Sequence, residues 1–279
     1  MKRPFSRFVG VDLGGGRGKT TALAEIRSGS TGAEVIEVAT RASGKHRWTD
    51  DTLMERLGER VAERVIAIDA PLTVTACHRC EQPVCPGMEA CADPAVVWLR
   101  TTGRALVQEV AAKSMGGSSR SLPLHGAQVL LAPYAHRATD VVMTYQRGLL
   151  PLSQLGAANS AITARANQLR RRLRGAGYEL HANLLEVSPP ATIGALCGTR
   201  AARGYKRDAD PWRTRAEILE QLGDLTFAPQ SRMAREDVLR NDHCFDAVMS
   251  AYTAYRWARD GWELPPGVFA DDGWIVAPP

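Results

Sequence analysis

The sequence predicts an α/β fold, a mixed sheet flanked by helices, and three observations carry that expectation. Short apolar runs rich in β-branched residues recur between turn-rich segments in the first quarter of the chain. Longer segments with apolar residues at helical spacing dominate the rest. A hydrophobic content of 44% over 279 residues is enough to bury a sizeable core.

Taken in order, Phe8-Val9-Gly10-Val11-Asp12 is a buried-type strand ending on a carboxylate, and Gly14-Gly15-Gly16-Arg17-Gly18 suits the tight turn after it. Residues 20–26 read as its hairpin partner. Residues 34–40, with Val35, Ile36 and Val38, form a third strand. Thr49-Asp50-Asp51 can cap a helix carrying Leu53, Leu57 and Val61 on one face, and Val65-Ile66-Ala67-Ile68-Asp69 is again a strand ending in Asp. The series is β-β-β-α-β. Beyond Ala70-Pro71 come a cysteine-rich loop and a helix over about 94–113, with Pro in its first turn. Residues 114–123, rich in Gly and Ser, read as a mobile loop. Residues 157–174 form a helix with Ile162, Ala166, Leu169 and Leu173 on one face and Arg165, Arg170, Arg171, Arg172 and Arg174 over most of the remainder. A further strand lies within 178–187, closed by Pro189-Pro190, and helices follow at 216–222 and 243–258. There is no internal repeat, so a single domain over 1–279 is expected, with a cysteine-rich insertion at 75–95.

Lys and Arg total 35 against 30 Asp and Glu, a balance of +5 that permits a polyanionic partner without requiring one. Basic residues crowd into 165–174, 200–215 and 232–240, which suggests a basic face. No run approaches the roughly 20 apolar residues of a membrane span, and the start of the chain lacks a secretory cleavage pattern. A cytoplasmic protein without a membrane partner is expected. Six cysteines are too few for a disulfide scaffold, and four of them fall between Cys77 and Cys91. In a reducing compartment that crowding reads as metal binding.

Asp12 and Asp69 each end a strand, and Glu186 holds a similar place in Leu184-Leu185-Glu186-Val187. If those strands are neighbours, three carboxylates converge, and like charges so placed need protons or cations; Mg²⁺ or Mn²⁺ is the natural oxygen-bound solution. Asp246, four residues after Asp242 on a helix carrying Phe245, Val248, Tyr252 and Tyr255, supplies a fourth ligand, whereas Asp242 itself reads equally well as a helix cap. Two ions about 3.5–4 Å apart can activate water and stabilise the leaving oxygen of a phosphodiester. The expected activity is therefore divalent-metal-dependent hydrolysis of DNA or RNA.

Cys77, Cys80, Cys85 and Cys91 give a C-x₂-C-x₄-C-x₅-C set that can close on one zinc ion or hold a [4Fe–4S] cluster. The glycine run ends in Gly18-Lys19-Thr20 but fails the phosphate-loop spacing, since Leu13 stands where the first Gly is required. A plain hairpin turn, or one whose Lys19 approaches a substrate phosphate, fits better. Arg100 near the metal loop is a further candidate for phosphate contact, and Tyr205 and Lys206 for stacking on or pairing with substrate.

Gly10-Val11-Asp12, Ile68-Asp69-Ala70-Pro71, Leu185-Glu186-Val187-Ser188-Pro189, Gly204-Tyr205-Lys206, Asp242-His243-Cys244-Phe245-Asp246-Ala247 and Gly273-Trp274-Ile275-Val276, in this order, resemble the domain-of-unknown-function 429 family, predicted nucleases of the ribonuclease H-like fold. The resemblance implies a five-stranded mixed sheet in the order 3-2-1-4-5. It also implies that Asp12, Asp69 and Asp246 are catalytic metal ligands, with Glu186 as a fourth. Two other functions fit the same residues: an actin-like ATP-dependent phosphotransferase, and a non-catalytic nucleic-acid-binding protein whose metal loop is structural.

Overall fold

A computed structural model describes residues 3–15, 20–29, 32–115, 131–149 and 160–279. In chain order the elements are β1 (Arg7–Asp12), β2 (Ala22–Ser28), β3 (Ala33–Ala39), the short pair β4 (Arg41–Ser43) and β5 (His46–Arg47), α1 (Asp50–Leu57), β6 (Arg64–Asp69), α2 (Pro94–Trp98), α3 (Arg104–Met115), α4 (Ala138–Tyr145), α5 (Ser160–Gly175), β7 (Leu184–Val187), α6 (Pro189–Gly204), α7 (Pro211–Gln221), β8 (Leu225–Phe227), α8 (Arg235–Arg240), α9 (Asp242–Asp260), α10 (Phe269–Asp272) and β9 (Ile275–Val276). The sequence suggested one domain with a short insertion. The chain divides instead into two compact units: Met1–Leu72 with Ala157–Glu263 and Ile275–Pro279, and Thr73–Gly156 with Leu264–Trp274.

The first unit is built on a mixed sheet in the order β8-β3-β2-β1-β6-β7-β9. β1, β2 and β3 run as an antiparallel meander, while β6 lies parallel to β1 and β7 parallel to β6. The sheet therefore has seven strands, not five, with one short strand added at each edge. Those additions, three residues at β8 and two at β9, are too brief to carry a period-2 pattern.

Alternation along β1 assigns its two faces. Val9, Val11 and Leu13 join Leu53 and Leu57 of α1 and Ala166, Leu169 and Leu173 of α5 in one apolar cluster. Phe8, Gly10 and Asp12 turn to the other side, where α9 lies; the Phe8 and Tyr255 rings meet edge to face at 5.6 Å. At Gly10 a Cβ would stand 2.0 Å from the Ala247 carbonyl oxygen and 2.4 Å from the Ala251 nitrogen. Only glycine lets the backbone of α9 approach β1 this closely.

Several boundaries differ from the pattern-based expectation. Pro189 and Pro190 do not close a strand into a loop; they occupy the first positions of α6, where a missing N–H costs nothing. That helix is kinked at Gly198, φ +87°. The helix over 94–113 is split by a π-helical turn, Leu99–Gly103. Of the segment read as a mobile loop, residues 116–123 lie outside the described residues.

The second unit contains α2, α3, α4 and α10, with small apolar clusters of Leu99, Val107, Leu131 and Val141, and of Ala76, Ala95 and Val96. Its polar centre is Arg137, only 1% exposed, which pairs with Asp140 at 2.8 Å and donates to Thr73 at 2.7 Å. Asp272 accepts from the Ala138 N–H at 2.6 Å and from Arg79 at 2.8 Å. Charged groups this buried are tolerable because each is paired. Among the described residues, no helix is long and apolar enough to cross a membrane.

Candidate acidic active site

Asp12 and Asp69 are the last residues of neighbouring parallel strands and are paired in register. α9, held against β1 at Gly10, brings Asp246 to the same place. One carboxylate oxygen from each of the three residues lies within 4.8 Å of the others. Among the described residues, it is the one group of three or more Asp, Glu, His or Cys side chains gathered this tightly.

The electrostatics reflect crowding out of water. Burial, reinforced by Asp246 and Asp12, lifts the Asp69 pKa well above the ordinary carboxylate range. Burial raises Asp246 to about 6 even though the Lys206 ammonium pulls it down. Asp246 is ion-paired with Lys206. Burial works against that ammonium, but Asp246, Asp69 and Asp12 together leave its pKa raised. The buried Tyr205 hydroxyl faces the same carboxylate, and its pKa is driven up first by burial and then by Asp246, so the phenol stays neutral. Asp246 Oδ1 and the Tyr205 hydroxyl are both buried without a hydrogen bond of ordinary geometry.

His243 completes the rim. Its Nδ1 lies 2.5 Å from Asp12 Oδ2, and that hydrogen bond raises its pKa against the opposing effect of burial. Sequence reasoning gave His243 no role; the signal was its position three residues before Asp246, one turn away on the same helix face. Asp242 is neither cap nor a member of the group: the N-cap of α9 is Asn241, whose side chain accepts from the Cys244 N–H at 3.2 Å.

Glu186 is not brought into the group. It pairs in register with Ile68, not with Asp69, and Ile68 belongs to the face covered by α1 and α5. There Glu186, 2% exposed, accepts from the Leu72 N–H at 2.8 Å. That bond fixes the chain just beyond Asp69, and the Glu186 charge adds to those that raise the Asp69 pKa.

Tyr205 and Lys206 sit at the end of α6, which delivers them to the acids; the Lys206 ammonium also stands 5.3 Å from the Tyr205 ring centre. Lys19 lies outside the described residues. Arg100 is committed to backbone, donating to the carbonyls of Met88 at 3.1 Å and Cys91 at 2.6 Å. Much of the expected basic face is likewise engaged. Arg165 binds Asp50 at 2.7 Å and the Gly14 carbonyl at 2.6 Å, Arg170 the Leu72 carbonyl at 2.8 Å, and Arg172 Asp51 at 2.8 Å. The four cysteines of the 77–91 segment are free thiols and do not form a group within the 4.8 Å that the acids satisfy.

A family model described as a protein of unknown function (DUF429) matches residues 10–270. No curated protein and no solved structure matches the chain.

Proposed function

The chain belongs to the DUF429 family, and from that premise we propose that it is a divalent-metal-dependent nuclease hydrolysing phosphodiester bonds of DNA or RNA. The observation that carries this reading is the convergence of Asp12, Asp69 and Asp246 from two parallel strands and one helix. The finer architecture, a ribonuclease H-like sheet, is part of the same proposal. It is supported by the consecutive order β3-β2-β1-β6-β7 inside the sheet, with carboxylates ending β1 and β6.

The donor set fits a hard cation. Three carboxylates on rigid elements offer only oxygen, and the buried Asp246 Oδ1 makes no hydrogen bond of ordinary geometry. The raised pKa values of Asp69 and Asp246 show how poorly the bare cluster tolerates its own charge. Mg²⁺ or Mn²⁺ held by these three residues supplies Lewis acidity and neutralises charge on a phosphodiester.

The chain's own residues do the rest. Lys206 balances Asp246 and opposes the rise in its pKa that burial causes. His243 orients Asp12 through Oδ2. Glu186 fixes the backbone after Asp69 from the far face. Tyr205, neutral and buried, offers a hydroxyl beside the site without adding charge. With the carboxylates set against Lys206, the site suits a divalent cation, and a bound cation in turn suits an anionic substrate. The free cysteines accord with a cytoplasmic location.

The test is a panel of single-stranded, duplex, hybrid and branched DNA and RNA incubated with purified protein in Mg²⁺, Mn²⁺ or chelator. Metal-dependent cleavage of one class supports the proposal. Inertness toward the whole panel counts against it, and nucleotide-dependent stabilisation of an inert protein would point to phosphotransfer instead.

A further inference from the structure

Cys77, Cys80, Cys85 and Cys91, in the second unit, are the largest set of soft metal-ligating side chains outside the acidic group. Three are exposed and Cys91 is half-buried, although free cysteine is among the residues most often buried. Packing therefore does not account for them.

The backbone around them is anchored at both ends. Cys77 lies in the short 3₁₀ turn Ala76–His78, and its N–H donates to the Pro133 carbonyl at 3.2 Å. Arg79 ties the following residue to the Val74 carbonyl at 3.0 Å and to Asp272 at 2.8 Å. At the other end the Cys91 N–H donates to the Gly87 carbonyl at 3.0 Å, Arg100 grips the Cys91 carbonyl at 2.6 Å, and the Cys91 side chain packs on the cluster of Ala76, Ala95 and Val96. Between these anchors, every residue from 80 to 87 is exposed and none belongs to a helix or strand. Val84, 78% exposed, is the most exposed large apolar side chain described.

Two thiols thus stand on fixed backbone and two on a span with nothing apolar to fold around. Small elements without a core are the ones that a metal organises. His78 Nδ1 is hydrogen-bonded to the Thr75 hydroxyl at 3.1 Å, and the four cysteines complete a tetrahedral set without it.

We propose that Cys77, Cys80, Cys85 and Cys91 form a structural four-thiolate zinc site that draws the 80–87 span onto its anchored ends. Four protein thiolates fill a tetrahedral ion and leave no open position, so the site is structural and not catalytic. Binding releases the thiol protons. The proposal is independent of the nuclease reading.

Full-length protein expressed with added zinc and desalted without chelator should contain about one zinc per chain by elemental analysis. The double variant Cys80→Ser, Cys85→Ser, altered only at exposed positions, should lose it. Cys197→Ser and Asp12→Asn should retain it. Reconstituting wild-type protein with Co²⁺ gives a readout that does not depend on how the variants fold: strong thiolate-to-cobalt charge transfer and tetrahedral visible bands are expected. Zinc-free wild-type protein, zinc persisting in the double variant, a cobalt spectrum without thiolate bands, or brown protein carrying iron and sulfide would each overturn the assignment.

Discussion

Asp12 and Asp69 are register partners on adjacent parallel strands, so their carboxylates leave the same end of the sheet side by side. Parallel pairing makes this unavoidable: residues aligned across the two strands point to the same face. The third acid then needs only a helix lying close over β1, and Gly10 admits one.

The Gly10 contact is directly testable. Gly10→Ala sets a methyl against the backbone of α9, so the helix must shift away from β1. The variant should be destabilised by about 1–3 kcal/mol and should bind Mn²⁺ more weakly, as Asp246 moves with the helix. Denaturant unfolding and calorimetric Mn²⁺ titration measure the two effects, and unchanged values for both would show that α9 does not rely on the glycine.

Lys206→Met removes the partner of a carboxylate that is 1% exposed. An unpaired buried charge is expensive, but Lys206 itself is 39% exposed, which tempers the loss; about 1–3 kcal/mol is expected in metal-free protein. Saturating Mn²⁺ should recover part of it, because a bound cation compensates the same carboxylate. Unfolding with and without Mn²⁺ checks this, and an equal cost in both conditions would separate Lys206 from the metal site.

Asp69→Asn takes one charge out of a crowded, desolvated group. Metal-free protein should become more stable, by about 0.5–2 kcal/mol, while losing metal-dependent activity, the trade expected when function imposes strain. Thermal unfolding in chelator reads the first effect and cleavage the second. A destabilised variant would assign Asp69 a structural hydrogen-bonding role.

Glu25 contributes to acid stability. It is 2% exposed, and burial alone would raise its pKa, yet the Arg7 hydrogen bond at 2.7 Å and the charges of Arg56 and Arg64 outweigh burial and hold it low. A depressed folded-state pKa means that its contribution is present above the unfolded carboxylate value and is lost as pH falls through the folded one. Stability should fall on acidification below about pH 4, and Glu25→Gln should be less stable at neutral pH with a shallower acid limb. Unfolding free energies from pH 7 downward test this; a parallel limb in the variant would locate the acid sensitivity elsewhere.

Much of the site was legible in the sequence because strand ends are marked by composition: an apolar β-branched run stopping at Asp places a carboxylate at the C-terminal end of a strand, as at Asp12 and Asp69. Asp246 was readable from helical spacing. Glu186 misled, because its run looks the same as the others, and only the register opposite Ile68 reveals that it faces the other side. His243 shares that helical spacing with Asp246, whereas Tyr205 and Lys206 meet Asp246 through a chain crossing that no local pattern encodes. Pro189-Pro190 was ambiguous in principle, since the same residues stop a strand and open a helix. The edge strands β8 and β9 owe their existence to neighbours rather than to their own sequence.

The most direct test of the central claim compares wild-type protein and Asp12→Asn, in Mg²⁺ or Mn²⁺, against the nucleic-acid class that the wild type cleaves. Cleavage should vanish in chelator and fall by at least about 10²–10³-fold in the variant at unchanged fold. Equal cleavage by both proteins, or none by either across every substrate class, would contradict it.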